Sequence, residues 1–196
     1  MKTKSIIFIA IAVAVGLLVL LLIGSYSSLV GKDERVKETT GNVQSSYQRR
    51  LDLIPNLVNV VKGYASHEKE VFTNVTEARA KVAQVNVAAL PGNIEAQKEF
   101  ATANQALSGS LSRLIAVAEA YPALKADGVF RDLQSQIEGT ENRINVARND
   151  RAKAVREYNS ARRSISGKLV QIVADFPVAA QFEADTAAQK APEVKF

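Results

Sequence analysis

The sequence predicts an all-α protein: an N-terminal transmembrane helix followed by an antiparallel bundle of three to four long helices. Three observations carry this. Residues 6–23 are Ile, Val, Leu, Ala or Phe with a single Gly16, and no charge stands between Lys4 and Lys32. Beyond that run the apolar residues recur every three or four positions, the period of a helix with one buried face. No segment shows the alternation of a strand bounded by turns.

The anchor, residues 1–29, follows from length. At ~1.5 Å per residue, 18 positions cover most of a hydrocarbon core roughly 30 Å thick, and residues 24–29 supply the remainder. The rival reading is a cleaved signal peptide, with Lys2 and Lys4 as its charged start and Ser25-Tyr26-Ser27 as a weak cleavage site. The apolar run is long for that role, and the Ala-x-Ala triplets starting at Ala10 and Ala12 fall inside it. A retained anchor is therefore expected. With no cysteine, attachment through a lipidated cysteine is excluded, and so are disulfides and thiol chemistry.

Lys2 and Lys4 on one side of the span against Lys32, Arg35 and Lys37 on the other do not orient it. A short basic N-terminal tail ordinarily stays in the cytoplasm, so the domain is expected outside the cytoplasmic membrane. The net charge of +5 does not point to nucleic acid: beyond the anchor, 23 Lys and Arg face 20 Asp and Glu.

The bundle is expected over residues 30–177. Leu51, Ile54, Val58, Val61, Ala65, Phe72, Val75, Ala78 and Val82 form one stripe. Phe100, Ala103, Leu107, Leu111, Leu114, Ala118 and Tyr121 form a second. The third runs Phe130, Leu133, Ile137, Ile144, Ala147, Val155, Tyr158, Ile165, Leu169, Ile172 and Phe176. Leu90-Pro91-Gly92-Asn93 separates the first two stripes, and Tyr121-Pro122 with Asp127-Gly128 separates the second from the third. Ser164-Ile165-Ser166-Gly167 is a poor helix-forming patch where the last helix is open to interruption.

Pro55 lies inside the first stripe and leaves two readings open. Either the helix kinks at residues 53–55, or it stops and a new one starts with Asp52 capping free amides. After Phe176-Pro177 the pattern lapses, so residues 178–196 are expected to be a flexible tail or a docking peptide.

Four blocks of motif run through the chain: Arg49-Arg50-Leu51-Asp52-Leu53-Ile54-Pro55-Asn56-Leu57 running on to His67-Glu68 and Ala78-Arg79; Tyr121-Pro122-x-Leu124-Lys125-Ala126 with Phe130; Glu138-x-Thr140-Glu141-Asn142-Arg143-Ile144 with Tyr158-Asn159; and Ala187-x-Gln189-Lys190-Ala191-Pro192 with Val194 and Phe196. Together they resemble the LemA family of membrane-anchored bacterial helical proteins. The chain departs from the family pattern at Thr40, where a tryptophan is usual, at Ile165-Ser166 in place of Phe-Pro, and at Ala174-Asp175-Phe176 in place of an aromatic-Gly-Phe. The resemblance implies an anchored antiparallel bundle and brings no catalytic residue with it.

The residues themselves offer little chemistry. His67-Glu68 begins like a zinc-peptidase helix, but that motif needs a second histidine four positions on, where Val71 stands, and His67 is the only histidine. Glycines are scattered singly, so no phosphate-cradling loop is present. Residues 143–168 hold eight Lys or Arg against Asp150 and Glu157, spread around the helix and with only Tyr158 near for stacking. Contact with anionic lipid heads suits such a helix better than nucleic acid.

Arg151 falls on the same face as Ala147, Val155 and Tyr158, where the core belongs, and a buried arginine calls for a carboxylate. With Arg49, Arg50, Asp52 and Asn56, with His67 and Glu68, and with Glu141, Asn142 and Arg143, it makes a polar set that either cross-links helices or lines a groove for a partner. The function expected is a membrane-anchored scaffold or adaptor that contacts lipid through its anchor and another envelope protein through its bundle. It needs no cofactor or catalysis, and self-association is compatible with it. The alternatives are a basic module for anionic lipid or nucleic acid, and an enzyme.

Overall fold

A computed structural model describes residues 2–85, 87, 90 and 93–181. Among these residues six α-helices follow in order: α1 Lys2–Tyr64, α2 Lys69–Gln84, α3 Ile94–Ala120, α4 Pro122–Ala126, α5 Gly128–Arg163 and α6 Ile165–Val170. No strand occurs among the described residues. The expected tail beyond residue 181, and Pro91-Gly92 of the first turn, lie outside them.

The anchor and the first bundle helix are one element. α1 runs for 63 residues from the apolar segment into the bundle, and the side chains of residues 6–21 touch no core. It is the one described helix long and apolar enough to cross a membrane, and this is a membrane protein.

Pro55 neither stops nor restarts α1. A proline deprives the carbonyl four residues back of its donor, here that of Leu51. Arg79 on α2 supplies the replacement, its Nε donating to the Leu51 carbonyl at 2.8 Å. Pro55 itself is solvent-exposed, so its ring takes no space in the core. Asp52 is exposed and accepts from Gln48 Nε2 at 2.8 Å along the same helix; it caps nothing.

The first stripe divides at residues 65–68, a turn that reverses the chain into α2. Ala65 is buried there and keeps the apolar period through the break. Lys62 lies 5.8 Å over the Phe72 ring across this turn. Asn93 caps α3, its side chain accepting from the Ala96 amide at 3.0 Å. Asp127 caps α5 by accepting from the Phe130 amide at 3.0 Å, and Tyr64 at the end of α1 donates to the same carboxylate at 2.7 Å. The Tyr64 and Phe130 bonds hold the Asp127 carboxyl below its ordinary range, and the bond to Asp127 pushes the Tyr64 hydroxyl up.

α5 returns antiparallel along α1, as the pairs Tyr64–Asp127, Arg50–Glu141 and Lys32–Glu157 show. α2 and α3 pack as the second antiparallel pair. The main core joins Ile54, Leu57 and Val61 of α1 to Phe72 and Val75, to Leu107 and Leu114, to Leu124 and to Phe130 and Ile137. Each such side chain, fully buried, contributes about 1.5–3 kcal/mol.

A second, smaller core lies at the membrane end. Leu29 and Val36 of α1 meet Val155 and Tyr158 of α5, Val170 of α6 and Phe176, with Leu22 packed against the cluster. Ser164 ends α5 and caps α6, accepting from the Gly167 amide at 3.0 Å. Gly167 is required because a Cβ there would collide with the main-chain carbonyls of Ala161 and Arg162.

After α6 an extended strap runs back along α5. Arg162 Nε donates to the Phe176 carbonyl at 2.5 Å, the Tyr158 hydroxyl to that of Pro177 at 2.8 Å, and Asn159 Nδ2 to that of Ala179 at 2.7 Å. Asn159 Oδ1 accepts from the Ala179 amide in turn, at 3.1 Å. The tail expected from residue 178 thus begins as chain held through residue 180. Of the third stripe, Ile165, Leu169 and Ile172 are exposed, not buried.

Candidate functional site

A cleft in the bundle lies where α3 and α5 stand apart on either side of α1. Val43, Tyr47 and Arg50 form its floor, Phe100, Asn104 and Ser108 one wall, and Ile144, Arg148 and Glu141 the other; it encloses about 260 Å³. The floor is fixed by the period of α1, since residues 43, 47 and 50 fall on its core-facing side. Tyr47 and Phe100 meet edge-on with centroids 4.8 Å apart.

Arg50 ties the three helices together. Only 4% exposed, it donates through Nη2 to Glu141 Oε1 at 2.6 Å and to Ser108 Oγ at 3.1 Å. Burial lowers its pKa and Glu141 opposes that, so the guanidinium stays charged with one anionic partner at the rim. Burial raises the Tyr47 hydroxyl, against the pull of the nearby Arg148. Two polar atoms at the cleft are buried and unmatched among the described residues: Arg50 Nε, a donor, and Asn104 Oδ1, an acceptor.

Arg151 makes a second cross-link nearer the membrane. Fully buried, it donates through Nε to Thr40 Oγ1 at 3.1 Å and through Nη2 to the Ala180 carbonyl at 3.2 Å. Thr40 therefore holds a polar contact where the family pattern has tryptophan. Burial alone lowers the Arg151 pKa.

The other sequence candidates do not converge with these two. Arg49 and Asp52 lie on an exposed face of α1 with Gln48, and Asn56 is exposed beyond them. Asn142 and Arg143 are exposed and line a shallow trough on the opposite side of α5 with Asn42 and Asp150. His67 is exposed in the turn before α2, and Glu68 stands at the N-cap of α2 without a side-chain capping bond. No three His, Asp or Glu side chains gather to hold a metal among the described residues.

Sequence reasoning did not single out Ser108 and Asn104, nor the Arg162, Tyr158 and Asn159 clamp on the strap. One signal was available for the clamp: Tyr158-Asn159 belongs to the motif blocks, and a tyrosine beside an asparagine offers hydrogen bonds to both faces of a neighbouring main chain.

Comparison with known proteins bears on the whole arrangement. The chain is 24% identical over 155 residues to magnetosome proteins MamQ 1 and MamQ 2 of Paramagnetospirillum magneticum, covering 70% of this chain and 57% of theirs. It is 20% identical over 155 residues to protein LemA of Metamycoplasma hominis, covering 79% and 64% respectively. The chain thus spans less than two thirds of the length of these relatives. The LemA family model matches residues 39–196, which takes in the cleft, the Arg50–Glu141 bridge and the strap, and the chain belongs to the LemA family.

Proposed function

We propose that this protein is a non-catalytic scaffold or adaptor of the bacterial envelope, held in the cytoplasmic membrane by α1 and gripping a segment of another envelope protein in the cleft between α1, α3 and α5. The observation that carries this reading is the pair of unmatched atoms, Arg50 Nε and Asn104 Oδ1. A buried polar atom without a partner costs about 1–3 kcal/mol, and a donor and an acceptor lining one cleft are groups that a main chain entering it can pair with its own C=O and N–H. Tyr47, Phe100 and Ile144 supply the apolar surface for a side chain between them.

The test is photo-crosslinking in cells, with a benzophenone amino acid at Gln105 on the rim and at Glu70 on α2 as control. A discrete adduct from Gln105 is expected, absent from Glu70, abolished when Ala101→Trp fills the cleft, and re-formed with the purified partner alone. An adduct indifferent to Ala101→Trp, no adduct, or a cross-link only to the chain's own residues 182–196 would contradict the reading. The bundle is placed outside the cytoplasm. Because the chain has no cysteine, Glu70→Cys should react with a membrane-impermeant maleimide in intact cells, and protection until lysis would reverse the orientation.

The alternative of a basic module has one observation behind it, the run of cations towards the end of α5. It differs in its salt dependence: association through phosphates falls steeply with ionic strength, whereas docking in the cleft changes little.

A further inference from the structure

The described residues beyond the anchor expose few large apolar side chains, and those few are unevenly placed. Val30, Tyr64, Val129, Val146 and Val178 stand singly, but Ile165 is 84% exposed, Leu169 40%, Ile172 78% and Val173 84%, all between positions 165 and 173. Past α6 the main chain continues in hydrogen-bonded turns, with bonds from the amides of Gln171, Ile172 and Val173 to the carbonyls of Gly167, Leu169 and Val170. At about 100° per residue the four side chains share one face. Gly167, Val170 and the half-buried Ala174 occupy the opposite face, against the second core. Such a contiguous apolar face is one that water does not tolerate without a partner.

Its place in the fold says what the partner is. Leu22, inside the apolar run of α1, packs on the same small core, and the Tyr26 ring meets Phe176 edge-on at 5.8 Å. Residues 6–25 of α1 account for a hydrocarbon core of roughly 30 Å, so Tyr26 stands where tyrosines line the bilayer surface. α5 runs antiparallel to α1 and brings Arg163 down to that level, and Lys168 projects from α6 beside the apolar face; both are exposed. Cations rimming an apolar face at head-group depth match anionic phosphates above and acyl chains below.

We propose that α6 and the turn after it lie in the interfacial layer of the bilayer that holds α1, with Ile165, Leu169, Ile172 and Val173 among the lipids. The protein then grips its membrane at two points, the α1 span and the α6 turn, which fixes the tilt of the bundle and the height of its cleft. This rests on the anchor being retained.

The full chain supports a direct test in nanodiscs of mixed neutral and anionic lipid. Nitroxides are attached singly at Ile172→Cys, Val173→Cys, Leu20→Cys in the span and Val129→Cys at the far end of α5. The ratio of collision with oxygen, which concentrates in lipid, to collision with a water-soluble nickel chelate is then read for each. Labels at 172 and 173 are expected to give ratios several-fold above that at 129 and approaching that at 20. Free access of nickel at 172 and 173 with a lipid signature at 20 overturns the α6 proposal alone. Low access to both reagents means that protein covers the face, which overturns it equally. A water signature at 20 overturns the anchor and the proposal together. Circular dichroism identical to the unlabelled protein shows that each variant is folded.

Discussion

Arg79 Nε donates a 2.8 Å hydrogen bond to the main-chain carbonyl of Leu51, the carbonyl that Pro55 leaves without its helical donor. One side chain on α2 thereby lets α1 pass through a proline, and fixes α2 against α1 at the same point. Replacing Arg79 by Met keeps the aliphatic stem and removes the donor, and should destabilise the bundle by about 1–3 kcal/mol. In a Pro55→Ala background, where the helix supplies its own donor, the same change should cost clearly less. Denaturant unfolding of the four proteins in detergent, followed by far-ultraviolet circular dichroism, gives the coupling; simple additivity would show that the bond does not serve the proline.

Glu141→Ala should harm stability more than Arg50→Met. The first leaves a buried guanidinium without its anion, while the second replaces the charge with apolar volume and frees a carboxylate that is 44% exposed. A loss of about 1–3 kcal/mol is expected for Glu141→Ala, below the range for a fully buried pair because its partner faces water at the rim. Thermal melts of the two variants decide it, and the reverse order would mean that Glu141 holds Arg50 only loosely.

Asp127 should make stability sensitive to acid. Tyr64 and the Phe130 amide lower its pKa from 3.8, so the folded state favours the carboxylate. Its contribution is complete above the unfolded value and is lost as pH falls through the depressed folded value. Melting temperatures between pH 7 and pH 3 should fall less steeply for Asp127→Asn than for the parent at the acid end. Parallel profiles would show that the cap does not depend on charge.

Asn159→Ala removes both bonds that hold Ala179. At about 0.5–1.5 kcal/mol for each bond, the strap should open more often while the main bundle stays as it was. Hydrogen exchange at the Ala179 amide is expected to accelerate with no change in the principal melt. Loss of the principal melt would make the strap part of the bundle's cooperative unit.

Much of this fold was legible because helical period survives in a single sequence. The second stripe became α3, and Arg151 announced its burial by sitting among Ala147, Val155 and Tyr158. Three features were hidden for physical reasons. Continuity at Pro55 depends on a donor from another helix, which no local pattern shows. The turn at residues 65–68 escaped because buried Ala65 carries the apolar period into it. Ile165, Leu169 and Ile172 read as core because an exposed apolar face has the same helical period as a buried one. The cleft was harder still. Arg50 and Glu141 stood out within the motif blocks, but Asn104 and Ser108 acquire meaning only when α3 is brought against α1.

The account turns on α1 being one stiff post that joins the membrane span to the bundle. Pulsed electron-electron distance measurement on Leu20→Cys and Asn56→Cys, spin-labelled in nanodiscs, tests this directly, since both positions are exposed and 36 residues, ten turns, place them on the same side about 54 Å apart along an unbroken helix. A single narrow distribution near that distance is the expected result. A broad or distinctly shorter distribution would show that the helix hinges or ends between the membrane and the bundle, and would contradict it.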